Sequence, residues 1–264
     1  MFIDTTELDR QCKTLWPDIF EDFVPDFYGT NAASIVKMRS MLLAHAKAKC
    51  SFCKDCSNWE KAEPIDGPNS HLAVWGDGLV TAPIFILGNT MDYISEKSGM
   101  PFASHQPNND EGVFNLNKSI SNTGLIRCNT NPTSNILSPL YIAYARKCPG
   151  IQKPEFCWKW LQVQLFLIQP LVIIAMGSAA ADSLRGKHIP TKINFAVIDA
   201  ELTDFRKEHR IPDCTSKVLI CSSPNITKNG LSVANKLKGL ASIDEALRIA
   251  KKEVTEYYGR KHTD

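Results

Sequence analysis

Pro83-Ile84-Phe85-Ile86-Leu87-Gly88 is an unbroken apolar run of strand length that stops at a glycine. It lacks the alternation of a half-buried strand and is too short for a buried helix, so it reads as a strand covered on both faces, as in parallel sheets. Three further runs share this character: Tyr141-Ile-Ala-Tyr-Ala145, Leu171-Val-Ile-Ile-Ala-Met176 followed by Gly177, and Lys217-Val-Leu-Ile-Cys221. Around them, helical spacing predicts helices over 31–49, about 155–169, 178–186 and about 242–258. For the last, Ser242 is the expected N-cap and Glu245 its capping-box partner. Four buried strands separated by helices predict an α/β fold, a three-layer α/β/α sandwich with a central, mainly parallel four-stranded sheet. Ligands in such sheets bind beyond the carboxyl ends of the strands, here Gly88 to Asp92, Arg146 to Cys148, Gly177 to Ala180 and Ser222 to Asn225.

The composition agrees with a globular chain. Of 264 residues, 44% are hydrophobic and 22% charged, which excludes collagen, coiled coil and wholesale disorder. The longest apolar stretch, Leu165 to Met176, is broken by Gln169-Pro170 and falls short of the roughly 20 residues a membrane span needs. Met1 to Arg10 has no apolar signal core, so a cytoplasmic protein without membrane association is expected. The net charge of +2 hides a division: residues 1–30 hold seven acids against Arg10 and Lys13. A body left at +7 over residues 31–264 permits contact with a phosphate backbone but lacks a dense basic stripe. The chain thus divides into an acidic N-terminal extension, 1–30, and one domain, 31–264. The extension could dock on the basic body, mimic nucleic acid, engage a protein partner or form a solvated helix. Within the domain, about 103–140 holds eight asparagines and little apolar periodicity, and reads as a polar insertion.

Five of the nine cysteines are grouped. Cys50-Ser-Phe-Cys53-Lys-Asp-Cys56 offers two overlapping C-x-x-C units, and Cys148 and Cys157 form a more open pair. In a reducing compartment such groups point to metal before disulfide, and both zinc and an iron-sulfur cluster suit the spacing. Cys12, Cys128, Cys214 and Cys221 are scattered, as buried small hydrophobes are.

The order of these pieces resembles the iron-sulfur uracil-DNA glycosylases, family 4 of that superfamily. Val74-Trp-Gly-Asp-Gly78, the strand to Gly88 and the Gly99-Met-Pro-Phe102 end are similar to that family's V-x-G-x-G, strand, G-E-[AG]-P-G and G-x-P-F series. Tyr141-Ile-Ala-Tyr-Ala-Arg-Lys-Cys148-Pro resembles its Y-I-T-N-x-x-K-C-x-P strand. Cys157-Trp-Lys-Trp-Leu-Gln-Val-Gln and Pro170-Leu-Val-Ile-Ile-Ala-Met-Gly177 resemble its C-x-x-W-L-x-x-Q helix and following strand. The resemblance covers about residues 45–230 and implies a base-flipping DNA glycosylase with a 4Fe-4S cluster on Cys50, Cys53, Cys148 and Cys157. Cys56 replaces Cys50 in an alternative register, and zinc is the alternative metal.

The same resemblance places Phe102 as the aromatic on which a flipped base stacks, an exposed side chain at a strand-end loop. It also marks departures. Gly88-Asn89-Thr90-Met91-Asp92 stands where G-E-[AG]-P-G is expected, Tyr144 stands at the base-reading Asn, and Ser223-Pro224-Asn225 stands at the H-P-[SA] motif. The chemistry then falls to Asn89 to orient water, Asp92 as a carboxylate base, and Ser223 or Asn225 as donors to a departing base. Gly88, Thr90, Phe102, Tyr144 and Asn225 would contact the substrate. Three functions suit this pattern: excision of uracil or a modified pyrimidine from DNA, transfer of a group onto a flipped thymine derivative, and a non-catalytic DNA- or partner-binding role. Lys228 and Arg127 are candidates for phosphate contact, His105 for entry into the site, and Trp158 and Trp160 for core.

Overall fold

A computed structural model describes residues 4–51, 73–90, 95, 98–103, 111–127, 139–148, 157–185, 198–201, 217–225 and 231–261. The four apolar runs form β2 (Ile84–Gly88), β3 (Leu140–Tyr144), β4 (Val172–Met176) and β6 (Lys217–Cys221), all mutually parallel. Two short antiparallel strands flank them, β1 (Asp77–Gly78) beside β3 and β5 (Ile198–Glu201) beside β6. The sheet therefore has six strands in the order β1-β3-β2-β4-β6-β5, two more than the apolar runs predict. Asp77-Gly78 carries no hydrophobic signal that would identify it as a strand. Gly78 has φ 136°, and a Cβ there would run into the Leu140 carbonyl, so the pairing of β1 requires glycine.

The register explains why the strands are apolar throughout. Phe85, Leu87, Tyr141, Ala143, Ile173, Ala175, Val218 and Ile220 point to one face and bury there with Leu161, Leu165, Ala181 and Leu184. These last belong to α5 (Trp158–Ile168) and α6 (Ser178–Arg185). Ile84, Ile86, Ile142, Tyr144, Val172, Ile174 and Leu219 point to the other face, against α4 (Glu111–Asn122) and α7 (Val233–Lys261). Helices on both faces leave β2, β3 and β4 no face for water. In α4, Val113, Leu116 and Ile120 are buried at helical spacing, so an amphipathic helix occupies part of the segment expected to be polar. Helix α7 begins well before Ser242, which is buried inside it and caps nothing at its own helix's start. Its hydroxyl donates to Gly239 O (2.7 Å) and accepts from Ser222 N–H (3.1 Å), tying the end of β6 to the helix.

The acidic segment is packed against the body. Asp4 accepts from Glu7 N–H (2.8 Å) and caps α1 (Thr5–Leu15), while Pro17 opens α2 (Pro17–Phe20). Asn31 Oδ1 accepts from Ser34 N–H (2.8 Å) at the start of α3 (Ala32–Ser51). Leu8, Cys12, Ile19 and Phe20 share a cluster with Met38, Leu42 and Ala46 of α3 and with Val163, Phe166 and Leu167 of α5. Acids of the segment meet cations of the body: Asp22 lies 2.6 Å from Lys49, and Asp18 lies 2.9 Å from Lys159. No helix among the described residues is long and apolar enough to cross a membrane.

Candidate functional site

The carboxyl ends of the parallel strands bring together Gly88 to Thr90, Tyr144 to Cys148, Gly177, and Ser222 to Asn225. Backbone bonds extend the ladder past the strands: Ala145 N–H donates to Gly88 O (2.8 Å), Arg146 N–H to Asn89 O (3.0 Å) and Gly177 N–H to Cys221 O (2.8 Å). Among the described residues, two buried side-chain oxygens on this edge have no hydrogen-bond partner, Asn89 Oδ1 after β2 and Ser222 Oγ after β6. Their strands are two positions apart in the sheet, about 10 Å between axes. Ser222 lies in one of the strand-end segments the sequence marks but carries no chemical role there; its hydroxyl becomes conspicuous only through its burial without a partner.

Ser223 lies beside Gly177, its Cβ 3.4 Å from where a glycine Cβ would stand. Asn225 is exposed but leans on Gly112 of α4, its Oδ1 filling the space a side chain there would need. Asn115 Nδ2 donates to Pro224 O (3.0 Å), so α4 also holds the loop after β6. Asp92, Cys53, Cys56, His105 and Lys228 lie outside the described residues.

Phe102 differs from its expected state. It is only 5% exposed, and its ring packs on Tyr144 with centroids 4.7 Å apart and planes tilted by 36°. Gly88 completes the contact, since a Cβ there would stand 2.7 Å from Phe102 and 2.8 Å from Tyr144. Rings at this distance are in ordinary van der Waals contact, so no planar base fits between them. The Tyr144 hydroxyl accepts from Phe102 N–H (2.9 Å) and lies 3.2 Å from Ser95 Oγ. On the other side Arg127 donates to Phe102 O (2.8 Å), to Pro101 O and to Asn117 Oδ1 (3.3 Å). Arg127, expected at a phosphate, thus grips the Phe102 loop.

A cleft of about 700 Å³ opens beside this loop, with Asp77, Met100, Phe102, Asn117, Ser121 and Arg127 among its lining residues. Asp77 and Arg127 face each other at 4.0 Å with side chains 8% and 15% exposed. Burial holds the Asp77 carboxyl above its ordinary pKa, opposed by the charges of Arg127 and Lys47 and by the Gly78 N–H. Burial lowers Arg127, opposed by Asp77. Both shifts have the same cause: two charges taken from water and paired too loosely to be fully compensated.

The cysteines form a separate place. Cys50 at the end of α3, Cys148 after β3 and Cys157 at the start of α5 are buried in one cluster with Trp75 and Trp160. Lys147 sits among them, fully buried, with its ammonium donating to Trp75 O (3.2 Å), Tyr144 O (2.6 Å) and Gln164 Oε1. Burial draws its pKa down to about 8, while Cys50, Cys157 and Cys148 act in the opposite direction, so all three sulfurs lie within electrostatic reach. Its backbone N–H also donates to Cys157 Sγ (3.4 Å). No three metal-ligating side chains converge on one point among the described residues. The chemistry of the donor set nevertheless fits a thiolate-ligated group: soft sulfurs, a buried cation and a backbone N–H at the Cys157 sulfur. By contrast, Cys12 and Cys221 lie in apolar surroundings, where burial drives their thiols upward, Cys221 to about 12.

The sequence matches no family model and no curated protein.

Proposed function

We propose that the chain is a DNA-binding, base-flipping protein of the uracil-DNA glycosylase type, built on the three-layer sandwich of that superfamily and excising uracil or a modified pyrimidine. The observation that carries the reading is Asn89 Oδ1, buried and without a hydrogen-bond partner at the carboxyl end of β2. A buried acceptor left unsatisfied costs about 1–3 kcal/mol, and such groups persist where a ligand or ordered water completes them. Asn89 would orient the water that attacks the sugar, and Ser222 or Ser223 would donate to the base as it leaves with the bonding electron pair. Four thiolates, Cys50, Cys53, Cys148 and Cys157, would hold a 4Fe-4S cluster that joins α3, β3 and α5; its role is to staple these elements. A reducing cytoplasm suits that thiol set.

A second reading has its own support. The contact between Phe102 and Tyr144 fills the place where a flipped uracil would stack, which favours a descendant that binds DNA or a partner without cleaving it.

Incubation with uracil-, thymine- and hydroxymethyluracil-containing oligonucleotides, followed by alkali and mass spectrometry, separates these functions. Alkali-labile abasic sites are expected, and Asn89→Ala lowers their formation at least tenfold. A mass gain without abasic sites would mean base modification, and retained binding with unchanged DNA would favour the second reading.

A further inference from the structure

We infer that Lys147 is the counter-ion of the group held by Cys50, Cys148 and Cys157, and that its fixed positive charge raises the reduction potential of that group. The inference rests on the thiolate-held cluster proposed above and assigns it a further residue. Lys147 has no exposed surface, which is rare for lysine because burial strips its ammonium of water. Its Nζ donates to Trp75 O (3.2 Å), Tyr144 O (2.6 Å) and Gln164 Oε1. Three acceptors engage three N–H bonds, which an ammonium has and a neutral amine lacks. The hydrogen-bond geometry is therefore that of a cation.

None of these partners cancels the charge. All three are neutral, as is the Trp75 ring, whose centroid lies 5.7 Å from Nζ. A buried charge is retained where an opposite charge meets it. Among the described residues, the groups of opposite sign within electrostatic reach are the sulfurs of Cys50, Cys157 and Cys148, all of them buried. Cysteine sulfur is negative only as thiolate, the form that binds metal. The cation is also held in place. Val74 N–H donates to Lys147 O (2.7 Å), and Lys147 N–H donates to Cys157 Sγ (3.4 Å). Gln164 Nε2 donates to Trp75 O (2.6 Å) and Tyr141 Oη (3.2 Å), which turns its Oε1 toward the ammonium. The potential of an iron-sulfur cluster depends on nearby charge, on hydrogen bonds to its sulfurs and on solvent exposure. A buried cation favours the state carrying one more electron.

Titration of holoprotein purified without oxygen tests this, with mediator dyes adding one electron to the cluster while its visible band is followed. Lys147→Met is expected to move the midpoint to a more negative potential. The expected size is at least a tenfold change in the reduced-to-oxidised ratio, about 59 mV for one electron. Gln164→Glu keeps the lysine but sets a carboxylate against its ammonium, so it should move the midpoint the same way even if Lys147→Met fails to fold. Lys251→Met, which removes a cation from α7 on the opposite face of the sheet, should leave the midpoint in place. A midpoint unmoved in either iron-bearing variant, Lys147→Met or Gln164→Glu, would overturn the inference and leave the cluster standing. A wild type without iron would overturn the cluster and this assignment together, whatever the DNA assay shows.

Discussion

At Phe102 the backbone takes φ 49°, a left-handed conformation that costs a non-glycine residue roughly 1–2 kcal/mol. It persists because both sides of the residue are held: Tyr144 accepts its N–H, and Arg127 donates to its carbonyl. Such strain held by neighbours is frequent at functional sites. Arg127 is in turn faced by Asp77, whose carboxyl burial holds above the ordinary range. A raised folded pKa means that the folded state keeps its proton longer than the unfolded state does. Asp77 therefore contributes its full stability below the unfolded carboxylate pKa, and that contribution is lost as pH rises through the folded value. Urea unfolding at pH 4 and pH 7 should show this as a smaller fall in stability for Asp77→Asn than for the wild type. An identical fall in both would mean that Arg127 compensates the charge completely.

Among the elements, α1 and α2 show how burial and charge differ in weight. Phe20 has no exposed surface and sits in the cluster with Met38 and Phe166, so Phe20→Ala should cost about 3–5 kcal/mol. Asp22, on the exposed side of the same segment, pairs with Lys49 in water, and Asp22→Asn should leave the urea midpoint nearly unmoved. A Phe20→Ala loss no larger than that of Asp22→Asn would show that the segment contributes little to the folded body. The apolar positions of α3 are legible as helical spacing, but nothing in that helix announces that α1, within the acidic extension, buries its own apolar face against it. For the same reason Ser242 reads as a cap: serine followed three residues later by glutamate is a local pattern. Its partner, the Ser222 N–H, belongs to a strand end twenty residues away.

For the molecule as a whole, the cysteine cluster joins the N-terminal helices to the sheet. Cys50, Cys148 and Cys157 come from α3, the β3 end and α5, so one bound group would tie three elements that already pack together, with Lys147 and Gln164 bonding the β3 end to α5. Protein purified without oxygen should be brown and carry about four irons per chain. Cys148→Ser or Cys157→Ser should lose colour and melt lower, whereas Cys12→Ser and Cys221→Ser should keep the metal. A colourless wild type with one bound zinc would replace the cluster with a structural zinc site.

The sequence by itself determined what depends on neighbours along the chain. Four short apolar runs, two of them ending at a glycine, specified four parallel strands, helical spacing specified α3, α5 and α6, and paired cysteines marked the place where α3, β3 and α5 meet. Only the tertiary structure decided matters that depend on residues distant in sequence. Asp77-Gly78 becomes a strand because β3 offers an unpaired edge, and α4 emerges from an asparagine-rich segment because Val113, Leu116 and Ile120 find the face of the sheet. Phe102 is buried because Tyr144, forty-two residues later, lies beneath it. The open space consequently lies on the other side of Phe102, in the cleft lined by Asp77 and Arg127. Local physics sets which elements form, whereas exclusion of water and filling of space settle which side chains stay accessible, and those terms exist only once the chain has folded.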